Sequence, residues 1–303
     1  MTVSTSMTSS SSSSVTPGSR ALVLGGGGSA GNAWLVGVVA GLAEGGVDVT
    51  TADLVVGTSA GATAAAQLTA APPGDLLAEI LSAAVPHRPA SGSGAQVREH
   101  LDRTAAIIAA ATGPDDLRRR LGAAALDLAR SAGPDAGNRW RGIVGARLPR
   151  QSWPRQRVVI TAVDAETGDP VLIERSSGIE LVDAVAASTS SGAAYPVAGR
   201  WLIDGGYRTN ADNADLAAGH ERVLVLSPLG GRSRTPAEWG LHLDDQVERL
   251  REQGSRVEVV LPSEEALAAF GDNLMDPSSR PPSALAGRDQ GLALAERVGA
   301  LWR

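Results

Sequence analysis

Two segments place a serine between glycines in the pattern G-x-S-x-G, which surrounds the nucleophile of many serine hydrolases: Gly27-Gly28-Ser29-Ala30-Gly31 and Gly57-Thr58-Ser59-Ala60-Gly61. An attacking serine needs a tight turn directly after a strand, with flanking glycines that let backbones approach. Ser59 meets that condition, because the apolar run Leu54 to Val56 leads straight into its turn. Ser29 instead follows four consecutive glycines, a loop too flexible to aim an attacking oxygen. We therefore predict that Ser59 is the nucleophile, supported by Gly57 and Gly61.

The glycine run before Ser29 fits a second task in ester chemistry. Backbone N–H groups at a glycine-rich turn near a helix N-terminus can hold the negative charge of a tetrahedral intermediate. We assign Gly26, Gly27 and Gly28 to this oxyanion hole. The same run also matches the dinucleotide-binding pattern G-x-G-x-x-G through Gly31. That alternative lacks its acidic partner, because the second strand ends at the serine turn and Asp53 precedes the strand.

A serine hydroxyl needs a neighbouring base to take its proton. The chain has only four histidines, His87, His100, His220 and His242, of which the last two would fit a Ser-Asp-His order. Asp204 is better placed, because the apolar pair Leu202-Ile203 predicts a buried strand that delivers it to the carboxyl edge of the sheet, followed by Gly205 and Gly206. An aspartate that merely begins a turn is the structural alternative.

The elements that must hold these residues begin near Arg20, so we expect residues 1–19 to be a disordered, serine-rich tail and residues 20–303 to be one domain. Strands separated by helices predict a mixed α/β fold with a largely parallel sheet. Helical patterns broken by Gly and Pro predict a helical cap insertion at about 75–150, and a closing helix is expected at 284–302. The predicted strands after the cap are 158–163, 171–173, 201–203, 223–226 and 257–261.

Composition excludes several functions. The net charge of -6 offers no basic surface for nucleic acid. The absence of cysteine excludes disulfides and cysteine-rich metal sites. No apolar run reaches the roughly 18 residues of a membrane-spanning helix, and the first residues do not resemble a secretory signal. We therefore expect a cytoplasmic protein, soluble or peripheral at a membrane.

The order of these motifs resembles the patatin-like phospholipase family. Leu22 to Gly28 is similar to its first strand and oxyanion loop, Gly57 to Gly61 to its nucleophile elbow, and Asp204-Gly205-Gly206 to its D-G-G motif. The stretch from Ala187-Ser188 to Tyr195-Pro196-Val197 is similar to the segment that precedes D-G-G. One departure concerns charge: many members carry Arg or Lys shortly after the glycine run, where this chain has Ser29-Ala30-Gly31.

The resemblance implies a three-layer α/β/α core and hydrolysis of lipid acyl esters by a Ser59–Asp204 dyad, without catalytic histidine, metal or cofactor. The expected partner is therefore a lipid ester, which is a phospholipid, a lysophospholipid or an acylglycerol. Peripheral contact with a membrane is compatible with such a substrate. A general carboxylesterase or an acyltransferase would use the same serine. A nucleotide-binding protein, or a catalytically silent binding protein, would use the glycine loop instead.

Overall fold

The computed structural model describes residues 15–84 and 93–303, so the predictions for His87 and for residues 1–14 lie outside the described residues. The strands are β1 (Thr16–Leu24), β2 (Leu54–Gly57), β3 (Arg157–Asp164), β4 (Pro170–Ile173), β5 (Tyr195–Val197), β6 (Arg200–Asp204), β7 (His220–Leu226) and β8 (Arg256–Val260). The helices are α1 (Gly28–Glu44), α2 (Ala60–Leu68), α3 (Pro73–Ser82), α4 (Ser93–Ala110), α5 (Pro114–Ser131), α6 (Ala136–Gly145), α7 (Leu181–Ser188), α8 (Leu243–Glu252), α9 (Glu264–Phe270) and α10 (Arg280–Trp302).

The strands form one mixed sheet in the order β5-β6-β3-β2-β1-β7-β8, with β4 paired to β3. Neighbouring strands from β3 to β8 along this order pair in parallel, whereas the pairs β3–β4, β3–β6 and β5–β6 are antiparallel. Helices flank the sheet. The predicted fold class, a three-layer α/β/α arrangement with a largely parallel sheet, is confirmed.

Alternating side chains of the central strands explain the three layers. In β1, Leu22 and Leu24 belong to the large cluster beneath α1, α2 and α7, whereas Ala21 and Val23 belong to a second cluster beneath α8. Successive residues of a strand point to opposite faces, so a strand covered by helices on both faces must be apolar throughout. This requirement accounts for the short, unbroken apolar runs in the sequence.

The first strand begins earlier than the sequence suggested. β1 starts at Thr16 and pairs with β7 from there, through a register shift between Thr16 and Arg20. The Thr16 N–H donates to the Gly219 carbonyl at 2.8 Å. The sequence did not predict residues 16–20 as part of the strand, because they are exposed or half-buried and show no apolar alternation.

The segment expected to form a helical cap contains α3 to α6. These helices pack directly on the core: Leu76, Leu77 and Ile80 of α3 join the large cluster, and Leu117 and Leu121 of α5 join a third cluster. That third cluster also contains Val163 and Ile203, from two strands, so α5 covers the antiparallel end of the sheet.

The closing helix α10 lies in backbone contact with α1. A Cβ atom at Gly37 or Gly41 of α1 would overlap a carbonyl oxygen of α10, and one at Gly291 of α10 would overlap the Val38 carbonyl oxygen. Glycines therefore let the two helix backbones approach more closely than larger residues would. This contact fixes the position of α10, which begins beside the glycine-rich loop. Within residues 15–84 and 93–303, no helix is long and apolar enough to cross a bilayer.

Candidate active site

Ser59 occupies a strained turn between β2 and α2. Its backbone φ is +53° with ψ of -114°, a conformation that non-glycine residues rarely adopt. A Cβ at Gly61 would overlap the Leu24 carbonyl oxygen, and one at Gly57 would lie 2.7 Å from the Ala62 Cα. The two glycines therefore allow α2 to start directly against β1 and β2. This strand–turn–helix geometry fits the nucleophile elbow predicted from the sequence, in which the serine hydroxyl stands above the sheet.

The Ser59 hydroxyl donates a hydrogen bond to the Asp204 carboxylate, with 2.7 Å between Oγ and Oδ2. Asp204 ends β6, and β6 runs antiparallel to β3. The sequence predicted that this strand ends at the carboxyl edge of the sheet, together with the parallel strands. Its antiparallel direction shows that this expectation was wrong. Ser59 and Asp204 still meet because β3 extends beyond the end of β2. Gly57 of β2 pairs with Ile160 of β3, and Asp204 of β6 pairs with Ala162, two residues further along β3.

Burial controls the charge of Asp204. The residue is only 5% exposed, and this desolvation raises the pKa of its carboxyl to about 6, against the opposing effect of hydrogen bonds from Gly206 and Ser59. The Gly206 N–H donates to Oδ1 at 2.8 Å. One carboxylate oxygen is thus held by the backbone while the other faces the serine. A carboxylate with a pKa near neutrality is suited to accept and return a proton.

A buried polar network links the elbow to the turn after Asp204. Asn213 donates from Nδ2 to the Thr58 hydroxyl at 2.9 Å and to the Gly205 carbonyl at 3.0 Å. The Thr161 hydroxyl donates to the Thr58 hydroxyl at 2.9 Å. Sequence reasoning did not find Asn213; its φ of +55°, tolerated by Asn better than by most residues, is a signal visible only in the structure. The network fixes the separation of the serine and the carboxylate.

Ser188 supports the elbow from α7. Its hydroxyl accepts a hydrogen bond from the Ser59 N–H at 2.9 Å. Ser188 belongs to the segment whose resemblance to the family was noted in the sequence, although no role was inferred for it. In the D-G-G turn, a Cβ at Gly205 would overlap the Thr161 hydroxyl, and one at Gly206 would lie 3.1 Å from Asp204 Oδ1. Both glycines therefore make room for the carboxylate and its support.

The glycine-rich loop lies beside the serine, but its three assigned amides differ. The Gly26 N–H already donates to the Ala211 carbonyl at 2.8 Å, so this residue serves to anchor the loop rather than as a free donor. Within the described part of the chain, the N–H groups of Gly27 and Gly28 have no acceptor. Gly28 has a φ of +65° at the start of α1 and lines the same cavity as Ser59. Two of the three assigned amides are thus available.

The other candidate residues lie elsewhere or have other contacts. The His220 ring hydrogen bonds to the Ala217 carbonyl at 3.1 Å, and the His242 ring to the Thr235 carbonyl at 2.8 Å. Asp53 precedes β2 and accepts the Arg20 N–H at 2.8 Å, at the opposite end of the strand from the elbow. Ser29 lies in the first turn of α1 and also lines the cavity of Ser59.

One cavity opens at the elbow, and a second cavity adjoins it. The first, of about 680 Å³, is lined by Ser59 and Gly28 together with α1, α2, α3 and α6. The second, of about 650 Å³, is lined largely by apolar side chains such as Leu126, Tyr195 and Trp201. Trp140, Thr189, Ser191 and Met275 line both cavities, so they form the boundary between them.

Comparison with known proteins identifies the family. The sequence model described as patatin-like phospholipase matches residues 22–217, more than half of the chain. The chain therefore belongs to the patatin-like phospholipase family, as its motifs predicted, and this membership supports a lipid acyl hydrolase activity in general. No curated protein matches the chain. The solved structure of VipD from Legionella pneumophila shares 13% identity over 93% of this chain and 68% of its own, with a TM-score of 0.42.

Proposed function

We propose that this protein hydrolyses carboxylic esters of lipids through an acyl-enzyme on Ser59, with Asp204 as the general base. The observation that carries the proposal is the 2.7 Å hydrogen bond from the Ser59 hydroxyl, on a strained elbow, to a buried carboxylate whose pKa is raised to about 6. Nucleophile, base and elbow are the parts that acyl transfer requires.

The reaction proceeds in two halves. Asp204 takes the hydroxyl proton as Ser59 Oγ bonds to the ester carbonyl carbon, and the carbonyl oxygen becomes an oxyanion facing the free N–H groups of Gly27 and Gly28. The intermediate collapses, the ester C–O bond breaks, and the departing alcohol takes the proton from Asp204. Water then attacks the acyl-enzyme with Asp204 again as base, and the fatty acid leaves while the proton returns to Ser59 Oγ.

The two cavities suit a long apolar substrate. The reacting ester belongs in the cavity that contains Ser59, and the acyl chain in the adjoining, largely apolar one. At the boundary, Met275 is 51% exposed, and Ile143 of the first cavity is 48% exposed. Exposed apolar side chains at a cavity mouth favour contact with a lipid surface, so we include peripheral membrane binding in the proposal.

The test is fatty acid release from a micellar lysophospholipid or monoacylglycerol. Ser59→Ala and Asp204→Asn should each lower kcat by at least about a thousandfold, because the two groups act as a unit. Ser29→Ala, in the other G-x-S-x-G segment, and His220→Ala are the matched controls and should keep most of the activity. A folded Ser59→Ala variant with normal activity, or a Ser29→Ala variant as inactive as Ser59→Ala, would contradict the proposal.

A further inference from the structure

Two arginines line the cavity that contains Ser59. Arg147 follows α6 and is exposed on the cavity wall, and Arg280 is the half-buried first residue of α10. In the described ranges, neither guanidinium forms an ion pair. Residues 1–14 and 85–92 contain no Asp or Glu that could supply a partner. The catalytic cavity therefore holds two positive charges without a paired carboxylate.

Arg280 lies directly behind the glycine-rich loop. Its Nη1 donates to the Ser29 carbonyl at 3.2 Å and to Asn32 Oδ1 at 3.0 Å. Both acceptors are neutral, and a guanidinium has five N–H donors, so donors remain for a ligand. The sequence lacks a cation at residues 29–31, and α10 brings one to that place from the other end of the chain. The position of this cation depends on the packing of α10 against α1 rather than on neighbouring residues in the sequence.

Buried amides hold both arginine segments in place. Asn32 donates from Nδ2 to Gln67 Oε1 at 3.0 Å, and Gln67 donates from Nε2 to the Arg147 carbonyl at 3.0 Å. Asn32 and Gln67 are buried in largely apolar helices, where polar groups persist only when they are hydrogen bonded. The Arg147 guanidinium lies over the Trp140 ring, 5.6 Å from its centroid. The network thus joins Arg280 to the backbone of Arg147 across α1 and α2.

The two charges act on the same space. Burial, with a further contribution from the charge of Arg147, holds the pKa of Arg280 below its usual value. Glu79 lines the cavity and partly offsets this effect, but it is exposed and pairs with neither arginine. Like charges in one cavity attract an anion, and guanidinium groups match the oxygens of phosphate and carboxylate.

We propose that Arg147 and Arg280 form an anion subsite that selects acyl esters carrying a negatively charged group, above all a phosphate, over neutral esters of the same acyl chain. The proposal rests on the proposed function of Ser59. The subsite lies in the ester cavity rather than in the apolar one, so the anionic group belongs to the alcohol part of the substrate.

The experiment compares kcat/KM for a 1-acylglycerol 3-phosphate and a monoacylglycerol with the same chain, both in neutral detergent micelles. The wild type should prefer the phosphate ester. In Arg147→Gln and in Arg280→Gln the ratio of the two kcat/KM values should fall about tenfold, the effect of losing one charge-assisted hydrogen bond. Arg280→Lys should keep most of the preference. The control is Arg150→Gln, which changes the net charge equally at an exposed residue that lines neither cavity and should keep the ratio.

A second arm separates a substrate group from a free anion. Inorganic phosphate is tested as an inhibitor of monoacylglycerol hydrolysis in the same variants. An unchanged ester ratio in folded Arg147→Gln overturns the subsite, even if Arg280→Gln fails to fold. Phosphate inhibition that disappears in the variants while the ratio stays constant also overturns it, because the arginines then bind only free phosphate. Failure of the wild type to hydrolyse either ester refutes the proposed function itself, and the subsite with it.

Discussion

The N–H of Gly26 donates a hydrogen bond to the carbonyl of Ala211 at 2.8 Å. This bond ties the glycine-rich loop to the segment after Asp204-Gly205-Gly206, in which Asn213 also contacts the serine elbow. The next residue, Asp212, packs on the same loop, where a Cβ at Gly25 would overlap its carboxylate. The proposed nucleophile, base and oxyanion donors are therefore held by one short stretch of chain.

The loop geometry predicts a large cost for Gly28→Ala. A Cβ at Gly28 would lie 2.8 Å from the Leu274 carbonyl oxygen, and the φ of +65° disfavours alanine. Displacement of this amide should lower kcat by about 100-fold to 1000-fold, the usual cost of losing an oxyanion donor. Gly46→Ala is the matched control, because Gly46 has a φ of +81° but open space around its Cβ position. Equal kcat in Gly28→Ala and Gly46→Ala would argue against the assignment.

The pKa of Asp204 predicts the acid limb of the pH profile. The carboxyl must be ionised to accept the serine proton, so kcat/KM should rise with pH through about 6 and then level off. A neutral ester is the substrate of choice, because it does not titrate. Asp212, a second buried carboxyl whose pKa burial raises to about 7, provides the control: Asp212→Asn should keep the limb near 6. A kcat/KM that stays constant down to pH 4.5 would contradict the role of Asp204 as general base.

The same pKa shift predicts that Asp204→Asn stabilises the fold while removing activity. A carboxyl with a raised folded-state pKa favours the folded state when it is protonated, and this advantage is lost as the pH rises through about 6. The free energy of unfolding of Asp204→Asn should therefore exceed that of the wild type by about 1–3 kcal/mol at pH 8, with no gain below about pH 4. Urea unfolding at both pH values measures the difference. A less stable variant at pH 8 would show that burial of the charge is not the dominant effect.

The contact of α1 with α10 predicts which glycines resist substitution. Gly41→Ala should lower the free energy of unfolding by about 1–3 kcal/mol, because its Cβ would overlap the Arg288 carbonyl oxygen and force the helices apart. Gly142→Ala, within α6 and facing open space, should instead gain up to about 1 kcal/mol from helix propensity. Stabilisation of the protein by both substitutions would contradict the close backbone contact between α1 and α10.

Features encoded by neighbouring residues were predictable. The elbow at Ser59 follows from a short strand, two glycines and a helix, and the layer order follows from apolar runs of strand length. The antiparallel direction of β6 was not predictable from neighbouring residues, because it is set by pairing with residues 162–164 in the second half of β3. The role of Gly26 as an anchor depends on Ala211, which is distant in sequence.

The position of Arg280 also depends on distant contacts, but one signal for it was present. Gly37 and Gly41 of α1 and Gly45 directly after it recur every four residues, and Gly287 and Gly291 do so in α10. Such spacing places the small residues on one face of each helix, which indicates close packing of helix on helix. Read together, the two stripes would have predicted that the last helix lies on the first.

The central claim, that Ser59 is an activated nucleophile, is tested most directly by intact-protein mass after treatment with a fluorophosphonate probe. The probe phosphonylates a serine hydroxyl that an adjacent base has activated. The wild type and Ser29→Ala should each gain the mass of one adduct, and Ser59→Ala should gain none. An adduct retained by Ser59→Ala, or no adduct on the folded wild type, would contradict the account.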